Sequence, residues 1–117
     1  MIRSICVALA ITLCFVMWGC ADAMSAAAPT TAPADVTVTI DNFTFDPPTL
    51  TIPRGTKVTW INRDDVPHTA TSSASPKPFD SKALDTDDKY SFTFTTPGKY
   101  PYFCAIHPHM TATIVVK

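Results

Sequence analysis

Tyr100-Pro101-Tyr102-Phe103-Cys104-Ala105-Ile106-His107-Pro108-His109-Met110 is the stretch from which both the fold and the chemistry of this chain can be read. In its first half Tyr100, Tyr102 and Cys104 recur at every second residue. They therefore share one face of a β-strand, with the Cys104 sulfur directed inward at its end. The second half is a turn, stiffened by Pro108, that sets a thiolate, an imidazole and a thioether at Cys-x2-His-x2-Met spacing. A mixture of soft and borderline donors suits copper better than it suits zinc, calcium or magnesium. The loop is one histidine short of a His2Cys set with a weak axial Met. His68 is the only histidine before it in the chain.

The alternation extends outward from this strand. Val36, Val38 and Ile40 interleave with Thr37 and Thr39; Leu50 and Ile52, Val58 and Trp60, Phe92 and Phe94, and Ala112, Ile114 and Val116 repeat the pattern. Asp46-Pro47-Pro48, Pro53-Arg54-Gly55 and Pro97-Gly98-Lys99 punctuate the runs as turns. No window carries a 3.6-residue apolar period. The expected fold is therefore all-β, a Greek-key β-sandwich of about seven to eight strands. Such a sandwich brings the turn ending in Pro67 and His68 against the cysteine loop. Pro101 predicts that its strand is locally an edge or bulged. The polar run of residues 72–88 reads as a long connection, with a short strand or turn around Phe79.

The chain of 117 residues has room for one folded domain, expected at residues 35–117. Residues 1–23 read as a signal peptide, with Arg3 before an apolar run from Ile5 to Trp18 that is too short for a comfortable membrane span. An uncleaved N-terminal anchor is the alternative. Gly19-Cys20 offers a second end point, that of a lipoprotein signal with Cys20 acylated. Residues 24–34, rich in Ala, Pro and Thr, read as a flexible linker, useful as a membrane tether if the N-terminus is retained. The expected destination is export, to a periplasm.

The domain carries eight Lys and Arg against nine Asp and has no Glu. No basic stripe invites nucleic acid, and no Glu pair or Gly-rich phosphate loop invites a small-molecule substrate. The reading is not an enzyme. Cys104 is the only cysteine of the domain and has no internal disulfide partner. Taken singly, a buried Cys is commonly inert, a lone His is commonly a surface residue and a late Met is commonly core. Together, at this spacing, they point to a metal centre. A catalytic Cys–His pair is the rival, but no oxyanion device accompanies it.

The domain resembles the cupredoxins, the blue copper proteins, and most of all their amicyanin and plastocyanin branch. The residues that carry the likeness are Phe45-x-Pro47-x2-Leu50-x-Ile52-x2-Gly55-Thr56-x-Val58-x-Trp60-x-Asn62, then Pro67-His68, then the quoted loop; its two-residue gap between His and Met is the amicyanin spacing. The resemblance implies one type 1 copper ion held by His68, Cys104 and His107, with Met110 as the weak axial ligand. It implies one-electron transfer between redox protein partners, with His107 at the surface inside a collar of Pro67, Ile106, Pro108 and His109. A copper carrier or storage protein without an electron-transfer role is the alternative. Two positions depart from the family. Thr69 stands where Asn usually follows the first ligand His; its hydroxyl is expected to replace in part that link between the ligand loops, and its N–H to reach the Cys104 sulfur. Ile106 stands where the nearest relatives have Pro, and its extra N–H is expected to donate a second bond to that sulfur, raising the reduction potential.

Overall fold

A computed structural model describes residues 34–117. The expected signal, Cys20 as its alternative acylated end and nearly all of the expected linker lie outside the described residues. The strands are β1 (Asp35–Asp41), β2 (Thr44–Asp46), β3 (Thr49–Ile52), β4 (Thr56–Asn62), β5 (Thr71–Ser72), β6 (Lys89–Phe94), β7 (Gly98–Phe103) and β8 (Thr111–Val116). They form two four-stranded sheets, ordered β2-β1-β4-β6 and β3-β8-β7-β5. No helix occurs among the described residues. The fold is the expected all-β sandwich.

The alternating residues supply the inner faces. Val38, Ile40, Phe45, Val58, Trp60 and Phe94 come from the first sheet, and Ile52, Tyr102, Ala112, Ile114 and Val116 from the second; all are buried. Thr37, Thr59 and Thr93 point the other way, and Thr59 and Ser91 share a hydroxyl–hydroxyl bond of 2.7 Å across β4 and β6. Trp60 is the hub of the core. Its indole stacks on Phe79 at 5.2 Å, meets Tyr102 edge-on at 5.6 Å, and lies 6.3 Å from Phe94. Phe79 and Leu84 are delivered by the long connection, which is polar in composition yet contributes two buried apolar side chains. It is pinned by isolated bridges, Thr71 to Asp80 and His68 to Leu84.

Turn chemistry fixes the strand ends. Thr56 N donates to Pro53 O, and Gly55 takes a φ of +87° at the third position, the type II arrangement that favours glycine there. The β1–β2 hairpin turns on Asn42 (φ 47°) and Phe43 (φ 58°), two left-handed residues in a row as a type I′ turn requires. Asn tolerates that region; Phe does not, at a cost on the order of 1 kcal/mol.

Pro101 lies where β7, an inner strand over most of its length, is locally an edge, as expected. β7 pairs with β8 on one side and with β5 on the other, without a bulge at Pro101, which faces Thr113. The Pro101 carbonyl accepts from Ser73 N, so its polar groups face the β5 side, where the two-residue β5 has already ended. The missing N–H leaves no ladder bond broken, which is why an inner strand tolerates proline here.

Neither Trp60 Nε1 nor Tyr102 Oη makes a hydrogen bond, although both are buried. Burial pushes the Tyr102 phenol up to about 12 from 10.0, with the nearby Trp60 indole N–H offsetting part of the effect. Tyr102 therefore stabilises the fold fully below pH 10, and that contribution drains away as pH rises toward 12, because the unfolded chain releases the proton first. Tyr102→Phe is expected to remove this alkaline loss. At pH 7 it should be neutral or stabilising by up to ~1 kcal/mol, since a buried hydroxyl without a partner is deleted. Urea titrations at pH 7 and pH 11 check both; an unchanged alkaline slope would contradict the assignment.

Candidate metal centre

Three of the sequence-derived ligands converge at one end of the sandwich. His68 Nδ1 lies 3.7 Å from Cys104 Sγ, His107 Nδ1 lies 3.8 Å from the same sulfur, and the two Nδ1 atoms are 3.2 Å apart. All three donor atoms fall within 4.8 Å of one another. Met110 is buried at the far end of the loop. His109 is exposed and outside the cluster, as expected.

Backbone bonds fix each ligand. His68 and Leu84 exchange both amide bonds, at 3.1 and 2.8 Å. The cysteine loop closes on itself: Met110 N donates to His107 O at 2.9 Å, and Cys104 N to Met110 O at 3.0 Å. Fully buried Asn62 ties the segment between β4 and His68. Its amide donates to Val66 O and Leu84 O, and its carbonyl accepts from Asp64 N.

Thr69 meets both expectations placed on it. Its N–H points at Cys104 Sγ across 3.3 Å, and its hydroxyl accepts from Ala105 N at 2.7 Å, linking the two ligand loops. The hydroxyl lies 2.8 Å from that of Thr71, which donates to Asp80 Oδ1. The chain of bonds is thus directional, from Ala105 N–H through two hydroxyls to a carboxylate. Asp80 is held below the usual carboxylate range, chiefly by the Lys82 amide.

The expectation for Ile106 is corrected. The second N–H aimed at Sγ belongs to His107, at 3.4 Å. The tight loop turns the amide three residues after Cys104 toward the sulfur and leaves that of Ile106 elsewhere. Ile106→Pro therefore removes no bond to sulfur, and the argument for a raised potential through Ile106 falls.

Two residues that the sequence did not single out complete the site. Phe43, at the strained β1–β2 turn, stands edge-on to the rings of both His68 and His107, with centroids 5.3 and 5.0 Å away. Asp64 places Oδ2 2.9 Å from His68 Nε2 and 3.0 Å from Phe43 N. These bonds, that of His68 first, hold the Asp64 carboxyl at about 2, below its ordinary 3.8. The only sequence cue to Asp64 is its place four residues before His68; Phe43 has none beyond lying between two strands.

The donor set fits copper. Bonds of about 2.0 Å to nitrogen and 2.3 Å to sulfur in a near-trigonal arrangement imply nitrogen–sulfur separations of roughly 3.7 Å and a nitrogen–nitrogen separation of roughly 3.5 Å. The observed separations match. A carboxylate can only accept, so the His68 proton facing Asp64 sits on Nε2, and Nδ1 is the ring nitrogen that faces the other donors. One buried thiol, two imidazoles and a neighbouring buried thioether are the His2Cys-plus-Met set of blue-copper sites.

Fold and site together define a β-sandwich metalloprotein with a mononuclear thiolate–imidazole centre. The family model described as "Cupredoxin-like domain" matches residues 8–116, and the chain belongs to the cupredoxin family. It is 36% identical over 90 residues to amicyanin-alpha of Methylorubrum extorquens, covering 74% of this chain and 76% of that protein. It is 38% identical over 82 residues to the chloroplastic plastocyanin of Tetradesmus obliquus, covering 62% of this chain and 55% of the relative. Among solved structures, the purple cupredoxin of Nitrosopumilus maritimus superposes with a TM-score of 0.66 at 33% identity, covering 71% of this chain and all of the other.

Proposed function

We propose that this chain is an exported type 1 copper protein that carries single electrons between redox proteins. When bound, copper supplies the one-electron couple; the protein supplies a rigid ligand set and a surface through which partners reach it. The observation that carries the reading is the setting of His107. Its Nδ1 belongs to the candidate ligand cluster, its ring is half-buried, and Pro67, Ile106, Pro108 and His109, the collar expected around it, are all exposed. Phe43 and Ile106, 46% and 45% exposed, are the two large hydrophobic residues left at the surface among the described residues, and both lie beside this imidazole.

An apolar collar around a half-buried ligand suits brief contact with another protein, where a small interface gives speed rather than residence. The partners are redox proteins, a donor and an acceptor. Kinship with amicyanins and plastocyanins supports the reading, as does the N-terminal signal pattern for export, with Cys20 or an uncleaved segment as a membrane tether.

Adding Cu(II) to the purified domain is expected to give an intensely blue one-to-one complex that exchanges electrons rapidly with a small redox protein. A colourless complex that surrenders its metal to a chelator within minutes would instead favour a copper carrier or store.

A further inference from the structure

Asp64 is nearly buried, yet it belongs to no ligand set and to no surface ion pair. Its place in the fold is unusual. One oxygen, Oδ2, reaches two N–H groups on different segments: the ring Nε2 of His68 and the backbone amide of Phe43. The other oxygen accepts from Asp65 N at 3.0 Å, and the Asp64 carbonyl accepts from the Thr86 hydroxyl at 2.7 Å. The β1–β2 turn, the segment leading to His68 and the long connection all meet on this one residue.

We propose that Asp64 is the positioning residue of the centre: it selects Nδ1 of His68 as the ligand atom and, through the same oxygen, holds Phe43 over both imidazoles. This inference rests on the copper reading above. An imidazole bonded through one nitrogen to a carboxylate has its tautomer and ring angle fixed, and its other nitrogen becomes a better donor. A better donor favours Cu(II) over Cu(I), so the carboxylate lowers the reduction potential. The bond to the Phe43 amide serves a second end. A phenylalanine in the left-handed region persists only where its surroundings over-determine it. Here the amide is bonded to Asp64 and the ring is wedged against His68 and His107. The exposed aromatic of the collar and the buried ligand are thus set by a single atom.

Asp64→Asn, with the full domain loaded with copper, tests the proposal. Cu(II) affinity is expected to fall roughly 10–100-fold, with a smaller loss for Cu(I), and the reduction potential is expected to rise. The Phe43 amide should exchange with solvent faster. Affinity and potential equal to those of the wild type would overturn the first half; an unchanged Phe43 amide would overturn the second. Should the variant not fold, nitrogen-edited NMR of the metal-free wild-type domain still decides: a His68 proton on Nε2, slow to exchange, supports the proposal, whereas a proton on Nδ1 overturns it. A wild-type protein that fails to turn blue condemns the copper reading, while the tautomer measurement stands apart from it.

Discussion

Cys104→Ser is expected to abolish the intense visible absorption of the copper-loaded protein while leaving the sandwich folded. The Cys104 sulfur is fully buried, accepts the amides of Thr69 and His107, and lies 3.7 and 3.8 Å from the two imidazole nitrogens. A thiolate at that point supplies charge and softness together. A serine hydroxyl is shorter, harder and neutral near pH 7. It can accept the same two amides, so the loop keeps its shape, but no thiolate-to-copper transition remains. Visible spectra after Cu(II) addition, with far-ultraviolet circular dichroism as the folding control, read the result. An intense blue band in the serine variant would mean that the colour, and the centre, lie elsewhere.

Trp60→Ala should produce the largest loss of stability of any single truncation, about 3–5 kcal/mol. Trp60 has no exposed surface and touches rings from β6, from β7 and from the long connection. Truncation opens a void that none of these neighbours can fill, because Phe79, Phe94 and Tyr102 are themselves held by strand register or by bridges. No hydrogen bond is lost, since the indole N–H has no partner. The cost is therefore one of packing. For a domain of this size it corresponds to a fall in melting temperature of roughly 15 °C or more. A shift of only a few degrees would show that the core collapses around the site more readily than its aromatic packing implies.

The long strands were legible in the sequence because each buries one face, and period-two alternation is what such a strand must show. Val38 and Ile40, Val58 and Trp60, and Ile114 and Val116 all lie where alternation put them. The candidate ligands were legible for another reason: Cys104, His107 and Met110 are rare residue types on a single loop, and one upstream histidine remained to complete them. What escaped reading depends on three dimensions. β2 and β5, three and two residues long, are too short to display a period. Asp64 looks like any loop aspartate until His68 and Phe43 close on it. The donor to sulfur was misplaced by one residue, from His107 to Ile106, because amide direction in a tight turn depends on backbone angles that spacing does not encode. Pro101 marks a local edge, as its sequence predicts: it sits on β7 just past the end of the two-residue β5.

The modest dimensions of the outer strands bear on how this protein behaves at high concentration. Among the described residues each open sheet has two unpaired margins, and a long unpaired margin invites a second copy to add on by backbone pairing. Here the margins are β2 and β6 in one sheet and β3 and β5 in the other. β5 offers two residues and β2 three, while β3 is bounded by Pro48 and Pro53, which cannot donate to a newcomer. β6 begins at the charged Lys89, and Pro97 follows its end. Blunted margins of this kind resist the edge-to-edge stacking that would turn a concentrated sandwich into fibres.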